Sequence, residues 1–264
     1  MERSALDLTG TVAIVTGGTR GVGRAIAEAL LVQGADVMTC GRHEPERPLT
    51  AHGPDGVERR ARFVAADVRD ADEATRLVAA CVAEFGRLDL LINNAGGSPA
   101  TDAATASPRF ITSVIALNLL APFFCAQAAN AVMQTQETGG HIINIGSVAA
   151  LRPAPGTAAY GAAKAGLINL TESLAVEWAP KVRVNCISAG LLDSGAGPEH
   201  YGGAEGMARV AATVPLGRMG TPEDVAGATL AICGPLTSYL SGANIVLHGG
   251  GEWPAFQRAA AGGA

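Results

Sequence analysis

A tyrosine and a lysine stand four residues apart in the stretch AAYGAAKAG, residues 158–166. In a helix, the side chains of Tyr160 and Lys164 lie on the same face, one turn apart. A free tyrosine has a pKa of about 10, and a nearby ammonium group lowers that pKa by favouring the phenolate. The pair therefore predicts a phenol whose acidity is tuned by an ammonium group. A closely packed helix that exposes two polar residues is the alternative interpretation.

Ser147 ends a predicted strand and precedes Tyr160 by thirteen residues. Considered singly, Ser147 is a turn serine and Tyr160 a half-buried tyrosine. Combined with Lys164 and with the glycine-rich loop described next, they indicate catalysis.

The glycine-rich loop TGGTRGVG, residues 16–23, follows the first predicted strand and opens a helix. Gly17 permits a tight turn, Gly21 a close approach of the backbone, and Gly23 close packing of helix and sheet. The free N–H groups at the start of the helix favour a pyrophosphate. The loop therefore predicts a dinucleotide site. A methyltransferase also uses a glycine loop after its first strand, but it has no need of the tyrosine and lysine.

The residues after the second predicted strand, TCGRHE, indicate which dinucleotide to expect. An acidic side chain there would bind the ribose 2′-hydroxyl of NAD and repel a 2′-phosphate. This chain instead has Arg42, and Arg20 in the glycine loop can lie on the same side of the ribose. Two guanidinium groups suit a phosphate, so NADP(H) is expected in preference to NAD(H). In the alternative, both arginines are solvated and Glu44 competes for them.

Two further strand ends carry candidate cofactor contacts. In AADV, residues 65–68, Asp67 is expected either to hydrogen-bond the adenine amino group or to cap the next helix. In NNAG, residues 93–96, the small side chains let the cofactor ribose pass close to the backbone.

Strands with little charge alternate with amphipathic helices along the chain. This pattern predicts an α/β fold, a single doubly wound parallel sheet of about seven strands with helices on both faces, which is the Rossmann fold. No internal repeat or linker divides the sequence, so residues 1–264 are expected to form one dinucleotide-binding and catalytic domain. Within it, residues 192–220 are predicted to be a substrate lid and residues 254–264 a C-terminal tail.

The composition argues against several classes of function. A formal charge of −5 gives no basic surface for nucleic acid or for an anionic membrane. The five cysteines are scattered through apolar runs without metal-ligand spacing, so we expect buried thiols, no metal site and a cytoplasmic location. Residues 111–136 carry no charge and are long enough to span a bilayer, but Asn118 and Pro122 interrupt them. A buried or subunit-interface helix is therefore expected, and no membrane span.

The ordered set of motifs resembles the short-chain dehydrogenase/reductase family. The motifs are TGGTRGVG, NNAG, Asn118, Ser147, YGAAK, NCISAG and GRMGTPEDVA, and the similarity extends over about residues 8–250. Members of the 3-oxoacyl-carrier-protein reductase type are similar. The resemblance implies hydride transfer between a nicotinamide cofactor and a carbonyl or secondary alcohol. It also implies a homotetramer in which the 111–136 and 159–178 helices are buried between subunits.

By the same resemblance, Tyr160 is the acid/base, Ser147 polarises the carbonyl, and Lys164 binds the nicotinamide ribose. Asn118 is similar to the asparagine that bends a helix and holds a water linking Lys164 to a proton relay. The implied cofactor contacts are Gly17, Thr19, Arg20, Gly21, Val22, Gly23, Arg42, Asp67, Val68, Asn94, Ala95, Gly96, Tyr160, Lys164, Gly190, Leu192 and Ser194.

Three positions depart from the family pattern. Ala189 replaces the proline that usually precedes Gly190, which is expected to loosen the nicotinamide loop. Ser194 stands where a threonine is usual and keeps the hydroxyl group. His248 stands where an aspartate is usual, and a packed or interface residue is the expectation for it.

The substrate is the part of the function that the sequence specifies least. The expected pocket walls are small or apolar and favour a neutral, hydrophobic or cyclic ketone or alcohol; they are Gly97, Ser98, Pro99, Ala149, Leu151 and the 192–215 lid. Arg152 and His200 are the evident polar candidates, and solvent-facing positions are the alternative for both. A 3-oxoacyl-thioester reductase and, from another class, a non-catalytic NADP(H)-sensing regulatory protein stay open. The intact Ser147, Tyr160 and Lys164 argue against the sensor, which needs only the dinucleotide site.

Overall fold

The computed structural model describes residues 6–193 and 201–260 of the chain. In that part of the chain the strands are β1 (Val12–Thr16), β2 (Asp36–Gly41), β3 (Thr50–His52), β4 (Glu58–Arg60), β5 (Arg62–Ala65), β6 (Leu90–Asn93), β7 (Gly140–Ser147), β8 (Val182–Ala189) and β9 (Asn244–Leu247). Seven of them form one sheet in the order β5-β2-β1-β6-β7-β8-β9, and β3 pairs with β4 in a separate antiparallel hairpin. Neighbouring strands of the large sheet are parallel throughout. The predicted doubly wound α/β fold is confirmed.

Helices connect the parallel strands. The α-helices of the described residues are α1 (Gly21–Val32), α2 (Ala71–Phe85), α3 (Pro108–Ile115), α4 (Ala121–Met133), α5 (Ala158–Glu177), α6 (Gly203–Ala211), α7 (Pro222–Cys233) and α8 (Ala255–Ala260). A π-helical turn, Ala116–Leu120, joins α3 to α4. Helices α1, α2, α5 and α7 fall where the helical pattern predicts them, and the long apolar stretch is interrupted by the π-helical turn.

The helices cover the sheet on two faces, each over its own apolar cluster. On one face α1 and α7 pack against the strands, and Ile26 and Leu30 are fully buried there. On the other face α2, α4 and α5 form the cover, and Leu77, Met133 and Leu174 are buried. Strand β1 is buried at every position, as a parallel strand covered on both sides must be.

The cysteines lie in this core, as expected. Cys40, Cys81, Cys125 and Cys186 are buried and Cys233 is half-buried, and none forms a disulfide. Burial raises the pKa of Cys40 and of Cys186 to about 11. These thiols are therefore protonated at neutral pH and act as small apolar side chains.

Helix starts coincide with capping residues in the sequence. Thr221 caps α7 in a capping box: its hydroxyl accepts from the N–H of Asp224 at 3.3 Å, and the Asp224 carboxylate accepts from the N–H of Thr221 at 2.8 Å. The Asp70 carboxylate caps α2 and accepts from the N–H of Asp72 at 2.9 Å. The alternative role of Asp67 as the cap of that helix is therefore wrong.

Two segments whose pattern predicts no regular structure contain some. The polar, Pro-rich stretch after β2 includes the β3–β4 hairpin, in which Thr50 lies opposite Arg60. Helix α6 lies inside the glycine-rich segment predicted to be a lid, and residues 194–200 of that segment lie outside the described residues. The predicted tail after Trp253 contains the six-residue helix α8.

The helical run Pro108–Met133 is the one segment of the described chain that is long and apolar enough to cross a membrane. Its most apolar window has a mean hydropathy of 1.7, and 33% of that window is buried. Cys125, Ala129 and Met133 of α4 pack into the core cluster shared with α2. One face of α4 is therefore buried in the core, as expected. Burial of its other face between subunits stays a prediction.

A buried histidine links the amino ends of β7 and β8. His141 is 3% exposed; its Nδ1 lies 3.0 Å from a guanidinium nitrogen of Arg183, and its Nε2 lies 2.9 Å from Nδ2 of Asn185. Arg183 also donates to the carbonyl oxygens of Thr237 and Leu240. Burial, together with the facing guanidinium, lowers the pKa of His141 to about 3. His141 is therefore neutral in the folded chain at ordinary pH.

The stability of the fold should fall with acid because of this histidine. The unfolded chain binds the proton below pH 6.5 and the folded chain only near pH 3, so the free energy of unfolding declines as pH drops between those values. One such proton contributes a slope of about 1.4 kcal/mol per pH unit. Chemical denaturation at a series of pH values measures the slope, and His141→Gln should remove this part of it. His43→Gln, at an exposed histidine, is the control; an acid slope in His141→Gln equal to that of the control contradicts the assignment.

Candidate active site

The candidate site lies at the carboxyl edge of the sheet, where the order of strands reverses. From β1 the chain proceeds outward to β2 and β5, and it then returns to β6 on the other side of β1. Ligands of such sheets bind in the crevice at this reversal. Thr16, Asn93 and Ser147 end the strands that meet there.

The glycine loop after β1 has the geometry that a dinucleotide requires. Gly17 and Gly21 have φ values of +64° and +51°, in the left-handed region that favours glycine. A Cβ on Gly23 would lie 2.4 Å from the carbonyl oxygen of Gly17 and 2.3 Å from Nδ2 of Asn94. Helix α1 begins at Gly21, so its free N–H groups face this cradle. The loop therefore fits the pyrophosphate of a dinucleotide.

Thr16, which the sequence did not single out, connects the start of the glycine loop to the segment after β6 by hydrogen bonds. The Thr16 hydroxyl accepts from the N–H groups of Asn94 and Ala95, both at 3.0 Å. Nδ2 of Asn94 in turn donates to the Thr16 carbonyl oxygen at 2.9 Å. The predicted cofactor contact Asn94 thus uses its side chain to fix β1 against β6, and Ala95 and Gly96 follow at the crevice. The signal for Thr16 was its place as the first residue of the glycine motif.

The next predicted cofactor contacts lie in the glycine loop and just after β2. Arg20 is exposed and is the N-cap residue of α1, and Val22 packs against the α1 cluster. An ideal Cβ on Gly41 would lie 3.6 Å from Oγ1 of Thr19, so Thr19 sits beside the end of β2. Arg42 is exposed immediately after that strand. Arg20 and Arg42 are therefore both available to a charged ligand at the surface.

Asp67 forms an ion pair within its own loop. Nε of Arg69 donates to both carboxylate oxygens of Asp67, at 2.9 and 3.1 Å, and a second guanidinium nitrogen also contacts the carboxylate. Arg69 is the main cause that holds the pKa of Asp67 below its ordinary value, and Arg42 contributes to it. Val68 beside it is buried. The adenine contact of Asp67 stays a prediction, and it would have to share the carboxylate with Arg69.

Ser147, Tyr160 and Lys164 are brought together by the close approach of α5 to the end of β7. The Ser147 hydroxyl accepts from the N–H of Ala149 at 3.2 Å and caps a short turn. A Cβ on Gly161 would lie 2.9 Å from the Ala149 carbonyl oxygen, so glycine lets the first turn of α5 contact this turn. Nζ of Lys164 lies 5.8 Å from the centre of the Tyr160 ring. The predicted constellation is therefore present.

The Lys164 ammonium is almost fully buried. It is 3% exposed and donates a hydrogen bond of 2.8 Å to the carbonyl oxygen of Ile145 in β7. Burial lowers the pKa of Lys164 to about 8. With a pKa of about 8, the lysine is mostly in its ammonium form at neutral pH. The carbonyl dipole of Ile145 offsets part of the hydration that the ammonium loses on burial.

The pKa of Tyr160 is shifted in the direction opposite to the sequence expectation. Burial raises the pKa of Tyr160, and its interaction with Ser147 lowers it by less. Lys164 lies over the ring and bonds to Ile145 instead of to the phenol, so it does not dominate. The phenol is therefore protonated at neutral pH, the form that acts as an acid.

Asn118 clamps the loop that follows β6. It is fully buried in the π-helical turn, its Nδ2 donates to the carbonyl oxygens of Gly97 and Val114 at 3.0 and 2.9 Å, and its Oδ1 accepts from the N–H of Gly97 at 3.2 Å. A Cβ on Gly96 would lie 2.9 Å from that Oδ1 and 3.6 Å from Nζ of Lys164. The backbone at Gly96 therefore lies between Asn118 and Lys164. The water between the two side chains stays a prediction.

The remaining site residues lie after β8. A Cβ on Gly190 would lie 2.8 Å from Cβ of His248, which explains the glycine at this close approach to β9. Leu192 forms an isolated bridge with Gly220. Ser194, with His200, lies outside the described residues. His248 is exposed.

Most of the expected substrate walls are exposed and small or apolar, and one polar candidate has a partner. Gly97, Ser98, Pro99 and Leu151 are exposed, and Ala149 is half-buried. Arg152 forms an ion pair of 2.6 Å with Glu252, a residue that the sequence reasoning missed because one hundred positions separate the two. In residues 6–193 and 201–260 no three His, Cys, Asp or Glu side chains cluster as metal ligands would.

Comparison with known proteins agrees with this geometry. Residues 17–252 match the family model described as Enoyl-(Acyl carrier protein) reductase. A protein of Bacillus subtilis (strain 168), named a probable 2,4-dienoyl-CoA reductase, is 36% identical over 243 residues, which cover 91% of this chain and 95% of the relative. The L-rhamnose 1-dehydrogenase (NAD(P)(+)) of Azotobacter vinelandii is 34% identical over 244 residues, which cover 90% of this chain and 94% of that enzyme.

The likeness extends to solved structures. The short-chain type dehydrogenase/reductase from Mycobacterium marinum superimposes with a TM-score of 0.84 at 29% sequence identity, and the match covers 95% of this chain and 98% of that one. The family model, the relatives and the solved structure each match nearly the whole chain. The chain therefore belongs to the short-chain dehydrogenase/reductase family, whose members are oxidoreductases that use a nicotinamide cofactor.

Proposed function

We propose that the chain reduces the carbonyl group of a small, largely apolar substrate with NADPH, and catalyses the reverse oxidation of the secondary alcohol. The observation that carries this proposal is the gathering of Ser147, Tyr160 and Lys164 at the end of β7, beside the glycine cradle after β1. A protein that only senses the dinucleotide would need the cradle but not these three side chains.

In the proposed reduction, Tyr160 is the acid. The cofactor, when bound, supplies the hydride that goes to the carbonyl carbon. The protonated phenol of Tyr160 donates its proton to the carbonyl oxygen, and the Ser147 hydroxyl donates a hydrogen bond to the same oxygen. The pKa of Tyr160, raised by burial, keeps this proton in place until negative charge develops on the substrate.

Lys164 and Asn118 support the phenolate that is left after proton donation. The Lys164 ammonium, fixed by Ile145, lies over the Tyr160 ring and favours the anionic form once it exists. Asn118 holds the backbone at Gly97, next to the Gly96 backbone that lies between Asn118 and Lys164. In this proposal Lys164 stabilises the phenolate, and Asn118 fixes the backbone beside it, until the proton is replaced.

Replacing the phenol tests this assignment. Tyr160→Phe removes the proton donor but keeps the ring, so turnover should fall by about 10²–10⁴-fold while NADP(H) still binds. Turnover is followed by the absorbance of the reduced nicotinamide, and binding by calorimetry. Tyr239→Phe, at a fully exposed tyrosine, is the matched control and should keep full activity. Activity retained in Tyr160→Phe counts against the mechanism.

The preference for NADP(H) is part of the proposal. Arg20 and Arg42 are exposed around the loop that binds the adenosine ribose, and no carboxylate ends β2. Glu44, which the sequence raised as a competitor, forms no ion pair with a residue that the structure describes. Two guanidinium groups near a ribose favour a 2′-phosphate over a hydroxyl.

The cofactor preference can be measured directly. In Arg42→Ala the kcat/KM for NADPH should fall by about tenfold or more, because a charge-assisted contact to the 2′-phosphate is lost, and the value for NADH should stay the same. Lys181→Ala, which removes a positive charge at the other edge of the sheet, is the control. A wild-type preference for NADH that persists in Arg42→Ala would contradict the proposed specificity.

The substrate class has a second candidate. The second candidate is a 3-oxoacyl-thioester: the description of the matching family model and the name of the Bacillus subtilis relative refer to acyl groups carried by an acyl carrier protein or CoA, and both name enoyl groups. Other relatives are named for different molecules, among them 2-dehydro-3-deoxy-D-gluconate and a 3alpha-hydroxysteroid. A panel of cyclic ketones, sugar acids and 3-oxoacyl thioesters, assayed with each cofactor, decides between them.

We also propose a cytoplasmic homotetramer. Apolar residues remain exposed on the helices expected at the subunit interface, among them Ile111, Leu120 and Val176. Exposed apolar surface of this kind is typical of an interface between subunits. A chain of 26.6 kDa should then have a solution mass about four times that value.

A further inference from the structure

The crossover from β2 to β5 is built differently from the other parallel crossovers in the described structure. Each of the others contains at least one α-helix, as α1 does between β1 and β2 and α2 between β5 and β6. A parallel connection usually places a helix over the face of the sheet. Between β2 and β5 the chain instead forms an irregular segment with two bends, residues 42–49, and the β3–β4 hairpin.

A cavity of about 600 Å³ lies beneath this segment. Gly18 and Thr19 of the glycine loop form one side of it, and Thr39 of β2 and Phe63 of β5 belong to its lining. Its volume falls in the range of roughly 300–1,000 Å³ that small-molecule sites occupy. The cavity is therefore large enough for a ligand group and adjoins the dinucleotide loop.

The lining of the cavity carries an excess of positive charge. Its charged side chains are Arg24, Arg47, Arg60, Arg62, Glu44 and Glu46. The two glutamates oppose an anion, but the arginines outnumber them by four to two. Arg24 pairs with Glu28 on its own helix at 3.1 Å, and Arg62 pairs with Glu84 of α2 at 2.7 Å.

Arg47 and Arg60 differ from the other two arginines. Neither forms an ion pair or a hydrogen bond through its side chain with any residue in the described ranges. Guanidinium groups in a cavity wall are stabilised by an anion that can accept bidentate hydrogen bonds. Two such groups are therefore available for one ligand.

The backbone on both sides of Arg60 is fixed. Arg59 makes two hydrogen bonds to the Asp55 carboxylate, at 2.8 and 2.7 Å, which close the hairpin. The N–H of Ala61 donates to the carbonyl oxygen of Leu49 at 2.9 Å, and Leu49 is buried in the core. Arg59 is thereby engaged with Asp55 at the hairpin turn, whereas the next residue, Arg60, belongs to the lining of the cavity.

We propose that this cavity binds a phosphomonoester group through Arg47 and Arg60. Because the cavity reaches Gly18 and Thr19, the phosphate is either the 2′-phosphate of the bound dinucleotide or a separate phosphate ester held beside it. In the first case the inference rests on the NADP(H) preference proposed above and adds two specificity-determining residues to it. In the second case it is independent of that preference.

The first arm of the test measures binding affinity. NADP⁺ and NAD⁺ are titrated into the wild type, Arg47→Gln and Arg60→Gln. If the group is the 2′-phosphate, both cavity variants lose about tenfold or more in affinity for NADP⁺ and keep their affinity for NAD⁺. Lys181→Gln removes one positive charge beyond the amino end of β8, at the other edge of the sheet, and should keep both affinities.

The second arm uses inorganic phosphate as the probe, with the chain alone and with the chain saturated with NADP⁺. If the group is a separate ester, phosphate raises the Tm of wild type and of Lys181→Gln, but not that of Arg60→Gln. Either pattern supports the site, and the inference is overturned if both cavity variants behave as Lys181→Gln does in both arms. Failure of the proposed function can be distinguished from failure of this inference. The former appears as absent turnover or absent NADP⁺ binding in the wild type, whereas the latter is tested by inorganic phosphate alone.

Discussion

The hydrogen bond of 2.8 Å from Nζ of Lys164 to the carbonyl oxygen of Ile145 satisfies a charge that is almost completely buried. An unpaired ammonium group at that depth would be strongly unfavourable. The bond is made only if α5 lies against the carboxyl half of β7. The same docking sets Tyr160, one turn earlier, beside Ser147 at the strand end. The arrangement of the three candidate catalytic side chains is thus coupled to the need to satisfy one buried charge.

Close approaches that only glycine permits make this docking and the dinucleotide cradle possible. Gly161 lets α5 meet the Ala149 carbonyl oxygen, and Gly23 lets α1 begin against the Gly17 carbonyl oxygen. Buried polar side chains then hold the adjacent backbone. Asn118 holds Gly97 through both of its amide atoms, and Thr16 holds the first residues after β6. Glycines that permit close backbone contacts, together with buried polar side chains whose hydrogen bonds are satisfied, give the site its shape.

Much of the fold could be predicted because it depends on local pattern. The capping residues at Thr221 and the helical spacing of Tyr160 and Lys164 are visible in the sequence, since they rest on a repeat of 3.6 residues and on hydrogen bonds within one turn. Parallel strands then bring their ends to one edge, which places Ser147 near the pair. The fold class and the candidate catalytic residues follow from these rules.

Other features depend on tertiary contacts and could not be predicted from local sequence pattern. The upward shift in the pKa of Tyr160 arises from burial, which the spacing of two residues does not reveal. The ion pair of Asp67 with Arg69 competes with the role expected from its strand-end position. The β3–β4 hairpin replaces a helix in a Pro-rich segment, and the cavity beneath it exists only in three dimensions. Such features need the packed structure because their partners are distant or their patterns are weak.

The protonated phenol of Tyr160 should govern the pH dependence of the reaction in both directions. The direct measurement is kcat/KM for reduction of one ketone and for oxidation of its alcohol over a series of pH values. Because burial raises the pKa of Tyr160 and lowers that of Lys164 to about 8, reduction should be constant near neutrality and decline only above pH 8. Oxidation should rise with pH over the same alkaline range, since it needs the phenolate. Reduction that increases with pH, or oxidation that is independent of pH, would contradict Tyr160 as the acid/base.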